Sequence, residues 1–204
     1  MATLKLVIFD CDGVMFDTIN ANKAYYNYIL SHFKKPPMSF KQLEHVHIHT
    51  VYEAINSLFR DDNNLNAAIN YSKSISYLPF LKFMTIEPCL KPLLNHLEGK
   101  YKTAVATNRT DTMPCILSKN NLNGFFDLVV TALDVKRAKP FPDPIIKILD
   151  HFDVNPDNLI YIGDSILDEQ AANSAGVCFI AYKNSSLSAE YHIDSLKEIE
   201  DILS

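Results

Sequence analysis

Five short runs rich in Val, Ile, Leu and Phe punctuate the chain, at Leu4–Phe9, Thr103–Thr107, Leu128–Thr131, Leu159–Ile162 and Val177–Ala181. Their apolarity is continuous rather than alternating, the pattern of parallel strands covered on both faces. Helix-length segments separate the last four. They are Asp111–Asn121 closing near Gly124, Asp143–Phe152 with Pro144 in its first turn, and Ser165–Ala175 ending at Gly176, while Pro88–Leu97, closing at Gly99, precedes the first of the four. A last segment, Ser195–Leu203, gathers Leu196, Ile199, Ile202 and Leu203 on one helical face. Strand and helix in alternation predict an α/β fold, a doubly wound, Rossmann-like parallel core of five strands.

Between Thr18 and about Met84 the pattern changes. Asn, Tyr, Ser and His are frequent, and the spacing of Tyr25, Ile29 and Phe33, then of Val51, Ala54, Ile55 and Leu58, is helical. The reading is an inserted α-helical cap over 18–84, with 1–17 and 85–204 forming the core. Because the insertion falls between the first and second strands, both its connections leave from one end of the sheet. In open α/β sheets that carboxyl end is where ligands bind.

Composition narrows the function. Of 204 residues, 48% are apolar and 21% charged, as in an ordinary globular chain. A net charge of −5 without a long basic run disfavours a nucleic acid polymer as partner. Cys11, Cys89, Cys115 and Cys178 form no CxxC pair, which predicts free thiols in a reducing compartment. The run Leu6–Phe9 is cut by Asp10 and Asp12, too early for an export signal or a membrane span, so a cytoplasmic protein acting away from membranes is expected. Nothing in the pattern fixes an oligomeric state.

Polar groups cluster where three of the strands end. Strand one runs into Asp10-Cys11-Asp12-Gly13-Val14, then Asp17-Thr18. Two carboxylates so close are costly unless one is protonated or a cation lies between them, and both solutions serve catalysis. Asp and Gly are also ordinary turn formers, so this motif alone leaves both readings open. Strand two runs into Thr107-Asn108-Arg109, suited to phosphate oxygens, although capping of the next helix is the better explanation of the triplet by itself. Strand four runs into Gly163-Asp164-Ser165, with Asp168 one helical turn on. Such carboxylates suit Mg²⁺, and equally the amino end of a helix. Lys139, before Pro140, reads in isolation as a surface lysine.

The order of these motifs changes the balance. DxDGVxxDT, Thr-Asn-Arg, Lys-Pro-Phe-Pro-Asp-Pro and GDSxxD together resemble the four motifs of the haloacid dehalogenase superfamily, in its phosphoglycolate-phosphatase-like and beta-phosphoglucomutase-like branch with a helical cap. The resemblance implies a 3-2-1-4-5 strand order that brings the motifs into one cleft. It makes Asp10 the nucleophile, forming an aspartyl-phosphate, and Asp12 the group that protonates the leaving alkoxide and then activates water. Mg²⁺ would be held by Asp10, the Asp12 main-chain carbonyl and Asp164, with Asp168 behind them. Thr107, Asn108 and Lys139 would bind the phosphoryl group. A donor role for Asp12 calls for a raised pKa, which the charge of Asp10 would favour. The expected activity is Mg²⁺-dependent hydrolysis of a small phosphorylated metabolite. A phosphomutase of the beta-phosphoglucomutase type and a noncatalytic binding or regulatory module on the same fold are the alternatives. Two departures from the branch stand out: Pro88-Cys89 where Pro-Gly is common, and Arg109 where a small residue or Lys is usual. The second can alter substrate contacts.

Other signals carry less. His45, His47 and His49 would align as a transition-metal site only on an extended segment, and a helical or looped cap splays them apart. Cys11 lies between the two aspartates but points away from both on an extended chain, so it is expected to be packed and inert. Tyr25, Tyr26, Tyr28, Phe125 and Phe126 are expected to be packing residues.

Overall fold

A computed structural model describes residues 4–47 and 50–203, without the side chains of Glu44 and His47. The chain divides into two compact units: one runs to Asp17 and resumes at Ile86, and the other comprises Thr18–Thr85.

The first unit is built on a parallel sheet of β1 (Leu6–Phe9), β2 (Lys102–Ala106), β3 (Leu128–Val130), β4 (Leu159–Gly163), β5 (Cys178–Tyr182) and β6 (Tyr191–Ile193), in the order β3-β2-β1-β4-β5-β6. Five of these are the five apolar runs of the sequence. The sixth is a correction: β6 has three residues with two exposed, so it carries no continuous apolar run to detect. Leu6, Ile8, Ala104, Ala106 and Tyr161 belong to one buried cluster with Ile145 and Ile148 of the helix Asp143–Phe152 and Ala171 and Ala172 of the helix Ile166–Ala175. The alternate strand residues Val7, Phe9, Val105, Ile160 and Ile162 are buried as well. Both faces are therefore covered, which is why the apolarity is unbroken.

Helix boundaries moved inward where the chain turns before committing to a helix. Pro88–Leu97 shortens to Leu90–Leu97, and Asp111–Asn121 to Met113–Lys119. The final segment is a 3₁₀ turn, Leu196–Glu198, followed by the helix Ile199–Leu203.

The second unit consists of helices α1 (Ile19–His32), α2 (Phe40–His47), α3 (Val51–Leu58) and α4 (Leu65–Ser74) and a 3₁₀ segment, Leu78–Phe83. Tyr25, Tyr26, Ile29, Leu30, Ile55, Phe59 and Phe80 share its core, whereas Tyr28 is half exposed. Thr50 and Glu53 form a reciprocal capping box that starts α3. His45 and the main chain of His47 fall on helix α2 rather than on an extended segment, while His49 lies outside the described residues. Among the described residues no helix is long and apolar enough to cross a membrane.

Candidate active site

Since β1 lies between β2 and β4, the residues just past their carboxyl ends are neighbours: Asp10 after Phe9, Thr107 after Ala106 and Asp164 after Gly163. The main chain extends the pairing past β1, with Asp10 N–H donating to the Ile162 carbonyl at 2.9 Å. Asp10 is buried, and its partner is Lys139. The surface lysine read from the sequence in isolation is thus corrected: its side chain is 3% exposed. Lys139 Nζ donates to Asp10 Oδ1 and Asp168 Oδ1, each at 2.6 Å, and to the Tyr161 hydroxyl at 3.1 Å.

Two devices fix Lys139 in place. The Asn108 side chain grips its main chain from both sides, Nδ2 donating to the Lys139 carbonyl and Oδ1 accepting from its N–H, each at 2.9 Å. Neither Asn108 nor Thr107 caps a helix, because the next helix begins only at Met113; that reading of the triplet is corrected. Thr107 is buried, and its hydroxyl accepts from the Arg109 N–H at 3.1 Å. At the other end stands Asp168. Its Oδ2 closes a capping box with Ser165 at the start of the helix Ile166–Ala175, while its Oδ1 accepts from Lys139 and Tyr161. Asp168 thus caps the helix with one carboxylate oxygen and bonds Lys139 and Tyr161 with the other.

Charge sets the character of the site. Burial and the nearby Asp168 charge raise the Asp10 carboxyl to about 7 against the pull of Lys139. Asp164 is raised well above the carboxylate range, first by burial and then by Asp10 and Asp168. Burial opposes the charge on Lys139, but Asp10 and Asp168 outweigh it and hold the ammonium protonated. Burial likewise opposes the charge on Asp168, which is nevertheless lowered by Lys139, Ser165 and Tyr161. Asp12 lies outside this cluster. It accepts from Arg109 Nη2 at 2.5 Å, and its own side chain is 37% exposed.

The family model for haloacid dehalogenase-like hydrolases matches residues 7–182, which spans all of these groups. The chain is a haloacid dehalogenase-like hydrolase. A pyrophosphatase PpaX of Bacillus pumilus is 25% identical over 209 residues, covering 99% of this chain and 96% of that protein. A phosphoglycolate phosphatase of Nitrosospira multiformis is 27% identical over 188 residues, covering 85% and 80%. Among solved structures, a subfamily IA hydrolase of the superfamily from Geobacter sulfurreducens superposes with a TM-score of 0.86 at 34% identity, covering 99% of this chain and 97% of that one. A haloacid dehalogenase-like hydrolase from Streptococcus pneumoniae shares the fold, with a TM-score of 0.88 at 18% identity over the full length of both chains.

The acidic groups of this hydrolase suit a divalent cation. Oxygens of Asp10, Asp164 and Asp168 lie within 4.8 Å of one another, against one ammonium. Were all three carboxylates ionised beside Lys139, two negative charges would remain for such an ion to balance, and in its place protonation relieves the crowding of Asp10 and Asp164. Both Asp168 oxygens already accept bonds, so Asp10 and Asp164 are the two able to serve as ligands. Gly13 lets Asp164 sit where it does: its φ is +84°, and a Cβ there would lie 1.9 Å from Asp164 Oδ2.

Two contributors escaped sequence reasoning. Tyr161 interrupts the apolar run of β4 with a hydroxyl, on the same strand face as Gly163, and that parity was the available signal. Arg109 departs from the residues usual after such an Asn, but its partner lies 97 residues away, beyond the reach of local spacing. Cys11 is buried, and burial followed by the Asp12 charge pushes its thiol well up, which makes it a poor nucleophile.

Proposed function

We propose that this hydrolase is a Mg²⁺-dependent phosphatase that cleaves a small phosphorylated metabolite, a phosphoric monoester, through an aspartyl-phosphate on Asp10. The observation that carries the reading is the buried Asp10, raised to about 7, hydrogen-bonded to Lys139 and beside Asp164. Such a carboxylate is poorly solvated and held in one direction, which favours attack. Asp10 Oδ attacks phosphorus as the ester P–O bond breaks, and Asp12 gives its proton to the departing oxygen. Asp12 then takes a proton from water as that water attacks phosphorus, which frees Asp10 and phosphate. Lys139 offsets the charge that gathers on Asp10 and the phosphoryl oxygens, while Thr107 and Asn108 line the same strand ends. Asp10, Asp164 and the Asp12 main-chain carbonyl would hold Mg²⁺, whose charge, when bound, screens the anionic nucleophile from the anionic phosphate.

The relatives' names include a pyrophosphatase, so the test must offer anhydrides as well as esters. The experiment is phosphate release from a panel of metabolite phosphates and pyrophosphate, with Mg²⁺ or with excess chelator. The expected result is release from at least one monoester that disappears with chelator and returns with Mg²⁺. Undiminished release in chelator would overturn the metal role, and release from pyrophosphate alone would overturn the monoester specificity. An isomeric sugar phosphate with little free phosphate would favour a phosphomutase.

A further inference from the structure

We propose that Arg109 is a positioning residue for Asp12, fixing its carboxylate where it must meet the oxygen of the departing group. The inference rests on the phosphatase reading, which gives Asp12 the proton transfers.

Three observations carry it. First, the two partners of the ion pair are unequally confined. The Arg109 side chain is 8% exposed and that of Asp12 is 37% exposed, so the cation is the fixed post and the carboxylate the group it steers. Second, Arg109 is anchored at every level. Its N–H donates to Thr107 Oγ1 at 3.1 Å, its carbonyl accepts from Ala132 N–H at 2.9 Å, and Nη1 donates to Thr112 Oγ1 at 3.2 Å. Third, Thr112 occupies the position before the helix Met113–Lys119 without capping it. That buried hydroxyl, of a type that ordinarily stabilises a helix start, accepts from the guanidinium instead.

The chemistry explains why a fork is useful here. One planar group that donates to Thr112 and to Asp12 from different nitrogens has its direction set, whereas a lysine ammonium is a point charge on a flexible stem. A half-exposed aspartate without such a tether distributes among rotamers, and a proton donor must lie within hydrogen-bond reach of the leaving oxygen as the bond breaks. In this role Arg109 itself exchanges no proton.

The test compares two aryl phosphates of similar shape. p-Nitrophenyl phosphate releases an acidic phenol that needs little protonation, whereas phenyl phosphate releases a phenol about as weakly acidic as a tyrosine side chain. For Arg109→Met, the rate of phosphoenzyme formation in rapid quench should fall roughly tenfold or more with phenyl phosphate and less than about threefold with p-nitrophenyl phosphate, while hydrolysis of the shared intermediate slows equally after either. Arg109→Lys should restore part of the loss, and Thr112→Val should show a weaker loss with the same substrate bias. Equal losses in phosphoenzyme formation on both substrates, or none, would overturn the proposal. If Arg109→Met melts below the assay temperature, Thr112→Val and Arg109→Lys are judged by the same bias. Asp12→Asn separates this inference from the reading beneath it. If Asp12→Asn shows the substrate bias and the Arg109 and Thr112 variants do not, only the positioning role falls. If Asp12→Asn turns over both substrates like the parent, the role of Asp12 falls, and this inference with it.

Discussion

Asp10 and Asp12 stand two residues apart on one loop, yet the protein treats them in opposite ways. The Asp10 side chain is 9% exposed and shares a lysine with Asp168; that of Asp12 is 37% exposed and is paired with an arginine of its own. A buried carboxylate crowded by like charge is costly to ionise and holds its lone pairs in one direction, as a nucleophile requires. A half-exposed carboxylate can exchange protons with a leaving group and with water. Proximity in sequence therefore says little about role, and burial together with the counterion says much.

The sharpest way to break this comparison is to remove each group in turn. Asp10→Asn should reduce turnover by a factor on the order of 10⁶, since an amide cannot form the acyl-phosphate, and residual phosphate release near the parent level would defeat the nucleophile assignment. Lys139→Ala comes next. It strands Asp10 and Asp168 without their shared cation, so we expect about 3–5 kcal/mol less stability in urea unfolding and roughly 10²–10³-fold slower turnover. A Lys139→Ala protein as stable as the parent would mean that the buried triad contributes nothing to the fold. Asp12→Asn should lose roughly 10²-fold or more on phenyl phosphate but far less on p-nitrophenyl phosphate in the formation of phosphoenzyme, with slow hydrolysis of the intermediate from both.

The smallest effect is on stability against pH. Asp10 titrates near 7 in the fold and near 3.8 when unfolded, so the folded protein binds the extra proton between those values. The stability that this group contributes is complete below about 3.8 and is lost as pH rises through about 7. Asp164, raised by burial, acts in the same sense. Asp168, which is lowered, has the opposite sign, but its contribution is lost only on acidification below the ordinary carboxylate range. Chelator-treated protein should thus unfold at lower urea at pH 8 than at pH 5, a gap that narrows in Asp10→Asn and on adding Mg²⁺ at pH 8. A gap of equal size in Asp10→Asn would assign it to other groups.

Much of the core was legible because its constraints are local. Unbroken apolar runs marked β1 to β5, and the closing Gly176 marked the end of the helix Ile166–Ala175, with its left-handed φ of +67°. The edge strand β6 was not, since a half-exposed strand of three residues has no face to declare itself. In the site, the carboxylates could be read from spacing and order, but not what surrounds them. The burial of Lys139, the hydroxyl of Tyr161 between Lys139 and Asp168, and the pairing of Arg109 with Asp12 all join residues far apart in the chain. They follow from strand order, which composition and periodicity do not encode.

The central claim is that Asp10 carries the phosphoryl group. Rapid quench of the parent protein with a labelled aryl phosphate in Mg²⁺, followed by peptide mapping, tests it most directly. The account predicts a transient acid-stable label on the peptide containing Asp10, which grows in before free phosphate and is absent in Asp10→Asn. Label on a different residue, or a label that persists in Asp10→Asn, would contradict it.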